Sequence, residues 1–425
     1  MRRFFYLGAL LMKLPAATVL AAGMSVEQVG QLEQVTAVAA NPDGSHVAYV
    51  LAVPRAIPAE EDGPVWRELH VVGPDGESTG YITGPVNVGA IGWMPDGETI
   101  TFLAKRGDAK TRRLYGISVR GGEARELASL ATDIHSYSFS PDGRQVAFLA
   151  FESEDEAVEK LTEQGFSQIV YEEGLKNRRI YIHDMDNNRD PLMIALDGSV
   201  QEVQWSPAGD RLAIKITPRQ LVDDTLMFNR IRIIDLDGEE IGRVENPGKL
   251  GRMAWSPDGE HLAFIGTNII NDPREGRLMA TGNAGGEFND LIPGLEGHVW
   301  YLNWLDDDRI VFISYEGVEA RIGTIAPDSS DQQTWIQNGP IFNGLSPTDN
   351  GSLVLTASTP EHPPEVYRLA AGAERAARLT RHNGWLNEIE LARREVVRYA
   401  ARDGLEIEGI LFYPLEYEQG ERYPL

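Results

Sequence analysis

Apolar positions along this chain fall in short runs, and a tight turn precedes most of them. His261-Leu262-Ala263-Phe264-Ile265, one polar residue followed by four apolar ones, reads as a buried strand. Ahead of it stands Trp255-Ser256-Pro257-Asp258-Gly259, in which proline fixes φ at the second turn position and Asp-Gly accepts the reversal. The unit recurs at Asn41-Pro42-Asp43-Gly44, Met94-Pro95-Asp96-Gly97, Ser140-Pro141-Asp142-Gly143 and Ser206-Pro207-Ala208-Gly209, each before an apolar run. A degenerate copy is Ser346-Pro347-Thr348-Asp349-Asn350-Gly351. The prolines at 42, 95, 141, 207, 257 and 347 are separated by 53, 46, 66, 50 and 90 residues. The last interval is double length and hides a copy without proline, Trp304-Leu305-Asp306-Asp307-Asp308-Arg309 before Ile310 to Ile313.

Seven units at this pitch predict an all-β chain, a seven-bladed β-propeller of four-stranded blades. One such blade cannot bury both faces, so neighbours must cover them around a ring. The aromatic residue before each turn is expected to wedge between adjacent blades. The longest ordinary interval predicts an insertion between the third and fourth blades. Within it, Ala157, Val158 and Leu161 at helical spacing, with Ser153 and Glu156 as a capping box, read as a short acidic helix over 153–165. After Leu379-Thr380 the character changes. Glu395 to Tyr399 and Leu405 to Tyr413 read as two strands about an Arg402-Asp403-Gly404 turn, and Tyr423-Pro424-Leu425 begins another apolar segment. The expected division is a leader over 1–23, a propeller over 24–390, and the start of a further domain over 391–425.

The net charge of −25 argues against a nucleic-acid groove, which needs a basic surface. Without cysteine the chain has neither disulfides nor thiolate chemistry. Arg2 and Arg3, an apolar stretch from Phe4 to Leu20 and Ala21-Ala22-Gly23 match a secretory leader cut after Gly23, which predicts a periplasmic or secreted protein. Lys13 interrupts the apolar stretch, so no membrane span is expected once the leader is removed. A start at Met12 or Met24 would instead leave the chain in the cytoplasm.

Candidate chemistry is sparse. Gly76-Glu77-Ser78-Thr79-Gly80 has the letters of a nucleophile elbow, but a hairpin turn precedes Ser78 and a strand follows it, where an elbow needs a strand and then a helix. The eight histidines include no His-Glu-x-x-His pair. Asp184-x-Asp186-x-Asn188 opens like a calcium loop, yet Arg189 stands where glycine is needed and Ala195 where the last carboxylate is needed, so a turn is expected. No phosphate-cradling glycine loop occurs, and no cofactor is expected.

The tail carries a resemblance. Leu379-Thr380-Arg381-His382-Asn383, Tyr399 to Gly404, Gly409-Ile410-Leu411-Phe412-Tyr413-Pro414 and Tyr423-Pro424 resemble the propeller-to-hydrolase junction of the prolyl oligopeptidase family, in its acylaminoacyl-peptidase and dipeptidyl-peptidase branch. The resemblance runs from about residue 25 to 425 and implies that 391–425 are the opening strands of a truncated α/β-hydrolase domain. It also implies a serine peptidase acting through an acyl-enzyme. The chain's own part would be to screen short peptides by size, with the missing hydrolase domain as partner and no catalytic residue of its own. In the dipeptidyl branch two acidic residues on a propeller insertion hold the substrate's amino group, and Glu172 and Glu173 are the matching candidates. Arg178 and Arg179 are candidates for holding a substrate carboxylate. The rival expectation is a free-standing, translocation-type propeller acting as a periplasmic protein-binding scaffold.

Overall fold

A computed structural model of the chain describes residues 23–424 apart from 188 and 274. The expected leader over 1–23 lies, all but Gly23, outside the described residues. Seven antiparallel four-stranded units follow one another over 34–82, 89–128, 134–194, 199–244, 253–290, 298–336 and 341–378, and form blades 1 to 7. First strands lie against one another between blades 1 and 2, 3 and 4, 5 and 6, and 6 and 7, and blade 7 packs on the first strand of blade 1. A two-stranded hairpin, Arg394–Ala400 with Glu406–Phe412, ends the regular structure. No described helix is long and apolar enough to cross a membrane.

The apolar runs explain the ring. Each second strand is buried on both faces, and its alternate residues enter different cores. In blade 1, Val47, Tyr49 and Leu51 face blade 7, while Ala48 and Val50 face blade 2. In blade 5, Leu262 and Phe264 face blade 4, while Ala263 and Ile265 face blade 6. Each of the seven junctions thus has its own buried apolar cluster.

The tryptophans wedge as expected. The indole N–H of Trp93 donates to Ala39 O across junction 1–2 (3.0 Å), that of Trp205 to Ser138 O across 3–4 (3.0 Å), and that of Trp304 to Ala254 O across 5–6 (2.9 Å). Trp255 Nε1 at junction 4–5 is buried without a partner. That junction is held differently. The last strands of blades 4 and 5 pair in parallel, Arg243 with Gly285 and Val244 with Gly286, and fuse the two blades into one eight-stranded sheet. A Cβ on Gly242 would sit 1.9 Å from Ala284 O, so only glycine permits the approach.

Two local expectations are corrected. The blade 7 turn is Thr348 to Gly351, closed by Gly351 N–H to Thr348 O, and Pro347 is the last residue of the preceding strand, paired with Leu353. Ser346-Pro347 therefore marks the turn two residues early. The inserted helix is shorter than expected, Glu156–Glu163, and its cap is Asp155, which accepts from Ala157 N. Asp155 is one residue from the first helical position, whereas Ser153 lies outside the turn it was expected to close. A further short helix, Val222–Met227, interrupts blade 4.

The strands alternate in direction, so the Pro-Asp-Gly turns share one face of the ring and the second-to-third connections share the other. On the turn face Gly97, Gly143, Gly209 and Gly259 meet the proline of the preceding blade: a side chain on Gly97 would come within 3.3 Å of Pro42. On the opposite face, termed the loop face, the connections are long in blades 1 to 5 (54–65, 105–112, 152–177, 218–229 and 267–276). They shrink to 317–318 and 360–361 in blades 6 and 7, where the terminal hairpin sits with Glu408 Oε2 accepting from Val318 N–H (3.0 Å).

No described strand is exchanged between blades 1 and 7. Their seam is closed by Val354 and Val366 against Val35, Val47 and Tyr49, and by polar contacts at both faces. On the turn face, Asp349 N–H donates to Pro42 O (2.8 Å) and Arg368 to Gly44 O (2.7 Å). On the loop face, Glu33 N–H donates to Asn383 Oδ1 (3.0 Å) and Asn383 Nδ2 returns to Glu33 O (2.7 Å). Between the two faces Tyr49 Oη meets Ser78 Oγ (2.5 Å) and His382 Nε2 (3.1 Å), and His70 meets Glu68 (2.8 Å). Fully buried Glu365 holds Arg378, Thr380 and the His382 N–H. Burial holds His382 below the ordinary imidazole range against the pull of Glu365, helped by His70 and Arg378. Burial, with Glu68 and Glu365, raises the Glu33 carboxyl.

Two expectations follow for stability. Phe at Trp304 should cost about 1–2 kcal/mol more than Phe at Trp255, because only the first substitution strands a carbonyl; urea denaturation of both variants measures the difference. A depressed histidine contributes stability that is present above its unfolded value of about 6.5 and is lost as pH falls toward its folded value. Glu33 works in the opposite sense at lower pH. Melting temperatures at pH 7.5 and 5.5 should therefore converge more closely in His382→Gln than in the parent chain.

Candidate functional site

The channel mouth on the loop face is built by a repeated irregularity. Each first strand except that of blade 5 slips register against the second strand near its beginning. The slips set aside Thr36, Ala90 with Ile91, His135, Gln201, Trp300 and Asn343. A bulge leaves its residue out of the ladder and re-aims it, so the six form an irregular collar where a regular wall would stand. Deeper in, Glu202 pairs with Lys215 (2.6 Å), Lys215 reaches Gly251 O (2.7 Å), and Arg252 lies 4.3 Å over the Tyr301 ring, beside a polar cavity of about 310 Å³.

One corner of this collar is cationic. Arg178, the first residue of its strand in blade 3, has its guanidinium 5.0 Å over Phe151 and donates to Gln201 Oε1 at 3.3 Å. Gln201 is fixed from behind by Gln220 (2.8 Å), which also takes the Ser199 hydroxyl (2.5 Å). Arg112 of blade 2 donates through Nε to Ile134 O (3.0 Å) and through Nη2 to His135 Nδ1 (3.3 Å). A guanidinium can only donate, so the neutral imidazole carries its proton on Nε2. His135 packs edge-on to Phe151, with ring centres 4.8 Å apart. Burial, then the charges of Arg178 and Arg112, hold His135 below the ordinary range, with Asp133 opposing. Burial and Arg112 also lower Arg178. Of the nearby carboxylates, Asp133 accepts the Arg112 backbone N–H (2.7 Å) and lies 3.5 Å from Lys105, and Glu152 pairs with Arg179 (2.7 Å).

The acidic candidates belong to the neighbouring connection. Glu172 and Glu173 are both exposed on the 152–177 connection. Glu172 has φ +67° and stands 3.8 Å from Arg219, which is already held by Asp224 at 2.9 Å. Arg179 is consumed by Glu152 and by the carbonyls of Leu196 and Gly198. Arg178 is the one of the four that hydrogen-bonds a collar residue, Gln201. Ser78 begins the last strand of blade 1 with its hydroxyl on Tyr49, and no helix follows it. Sequence reasoning missed Arg112, His135 and Gln201, because only the ring brings blades 2, 3 and 4 to one corner.

No family model matches the chain. An uncharacterized peptidase, YuxL, of Bacillus subtilis (strain 168) is 24% identical over 429 residues, covering 90% of this chain and 62% of the relative. An acylaminoacyl peptidase of Pyrococcus horikoshii superposes with a TM-score of 0.70 at 16% identity, over 93% of this chain and 60% of that one. The β-propeller domain of the Trilobed protease from Pyrococcus furiosus, described as having an open velcro topology, gives 0.58 at 14% identity, over 83% of this chain and 99% of the domain. These likenesses establish the multi-bladed propeller fold. The chain spans about three-fifths of the YuxL and acylaminoacyl peptidase chains.

Removing the charge of Glu172 or Glu173 should leave stability within about 0.5 kcal/mol of the parent, since an exposed pair at this distance contributes little. Thermal melts of Glu172→Gln and Glu173→Gln check this.

Proposed function

We propose that this chain is the substrate-screening propeller of a serine peptidase of the prolyl-oligopeptidase type, acting on short peptides together with an α/β-hydrolase domain. One observation carries the reading. The terminal hairpin 394–412 lies on the loop face over the two blades whose connections have shrunk to tight turns. The chain is thus led from blade 7 back to the channel mouth, and a cleft of about 750 Å³ separates hairpin from ring. A hydrolase domain continuing from this hairpin would cover the mouth, and the long connections of blades 1 to 5 would form the rest of the rim. Phe166, Ile169, Val170 and Tyr171, all exposed on the 152–177 connection, would then meet that domain. The assignment of 391–425 to its first strands belongs to the same proposal.

In this reading the chain supplies walls and entry, and the hydrolase domain supplies nucleophile, base and oxyanion donors. Export follows from the Arg2-Arg3 leader, and N-terminal sequencing of an exported product should begin at Met24. The purified chain should turn over no aminoacyl or acylaminoacyl ester, and Ser78→Ala should change nothing. The deciding test is the DNA that follows the codon for Leu425. His-Gly-Gly and a later Gly-x-Ser-x-Gly in a continuing frame would support the proposal. A stop followed by unrelated sequence would overturn it in favour of a binding propeller.

A further inference from the structure

The cationic corner of the mouth is built but only partly neutralised, by Asp133. Arg112 and Arg178 extend from different blades toward one imidazole, and neither forms an ion pair among the described residues. Their donors are only partly used. Arg178 Nε is buried without a partner, its Nη1 bond to Gln201 is long at 3.3 Å, and Nη2 has no protein acceptor among the described residues. Arg112 commits Nε and Nη2 and keeps Nη1. Asp133, which accepts the Arg112 backbone N–H (2.7 Å) and is shared with Lys105, is the one carboxylate that offsets this pair; two like charges so thinly balanced are costly for the fold, and an arriving anion would relieve that cost. The planar forks suit a carboxylate, which accepts two parallel N–H bonds. Phe151, stacked under Arg178 and against His135, fixes both groups while adding no acceptor.

We propose that Arg112, Arg178, His135 and Gln201 form a carboxylate-binding subsite at the channel mouth, and that its ligand is the C-terminal carboxylate of a short peptide. The choice of peptide rests on the screening function proposed above; the anion site itself rests on the geometry alone. Arg178 would supply Nη2 and Nε, Arg112 would supply Nη1, and His135 would supply Nε2–H. Gln201 is the positioning residue, swinging aside or holding the edge of the guanidinium. A peptide held by its tail at this corner would be limited in length by the distance to whatever chemistry lies over the mouth.

The test uses the chain as it stands, labelled with ¹³C at the histidine rings and with the His135 signals identified by His135→Asn. Acetyl-trialanine with a free carboxylate is titrated against the same peptide as its carboxamide. The carboxylate should shift the His135 signals saturably and move the His135 titration midpoint upward, because the anion offsets Arg112 and Arg178. The carboxamide should do neither. Arg178→Gln and Arg112→Gln should each weaken binding at least tenfold, Arg178→Lys should recover part of it, and 0.5 M salt should weaken it in the parent. Unchanged melting temperatures would show that the variants fold.

Equal responses to carboxylate and carboxamide, or full affinity in Arg178→Gln, would overturn the subsite. So would an absence of any response, which would mean that the arginines await an acidic side chain of a partner. Any of these would leave the screening proposal intact, since a peptide can be selected by size without its tail being held. Conversely, a downstream reading frame without a hydrolase would overturn the screening proposal and leave the measured anion site standing.

Discussion

The second strand of every blade must serve two cores at once. Val47, Tyr49 and Leu51 belong to one junction and Ala48 and Val50 to the next, and the same division repeats in each unit. Because period-two alternation points neighbouring side chains in opposite directions, a run apolar on both faces is stable only if both faces are covered. The ring satisfies that requirement without a shared centre. The axis is thereby left to the first strands, which carry polar side chains such as Glu202, Gln204 and Asn303. An open, polar channel is a by-product of placing the apolar material between the blades.

The weakest logical point of such a ring is where the chain's ends meet. Here the seam between blades 7 and 1 relies on apolar packing, on turn-to-turn hydrogen bonds at one face, and on a polar cluster at the other. That cluster joins the start of blade 1, through Glu33, to the segment leaving blade 7, through His382 and Asn383. The segment that closes the ring is also the one that leads to the terminal hairpin. Closure of the ring and placement of whatever follows it are therefore a single structural matter.

Much of the ring was legible in the sequence. The Pro-Asp-Gly turns, the apolar runs after them, the copy hidden at Trp304 and the terminal hairpin are all where the pattern puts them. The misplacements have simple causes. Ser346-Pro347 imitates the Ser-Pro of Ser256-Pro257, but two extra residues before Gly351 carry the turn forward to Thr348. Asp155 outcompetes Ser153 as a cap because it lies nearer the first free N–H. The site was far less legible. A bulge has no residue signature, as Thr36, His135, Gln201, Trp300 and Asn343 share no side-chain type. The cationic corner needs residues of three blades, whose meeting is a property of the closed ring. Glu172 and Glu173 drew notice as a pair, yet adjacency in sequence placed them on an exposed loop.

The parallel pairing of Arg243 and Val244 with Gly285 and Gly286 gives the ring a handedness of stiffness. Side-chain packing can slide by fractions of an ångström, whereas a backbone ladder resists it. The laddered junction between blades 4 and 5 lies almost across the axis from the unladdered seam between blades 7 and 1. Mechanically the molecule is a split collar with a rigid back, and strain introduced at the seam would be borne by rotation about that back. A duplicated or deleted blade could be spliced in evolution at most junctions by matching two apolar faces. At this junction it would also have to reproduce the close backbone approach at Gly242 and Gly285.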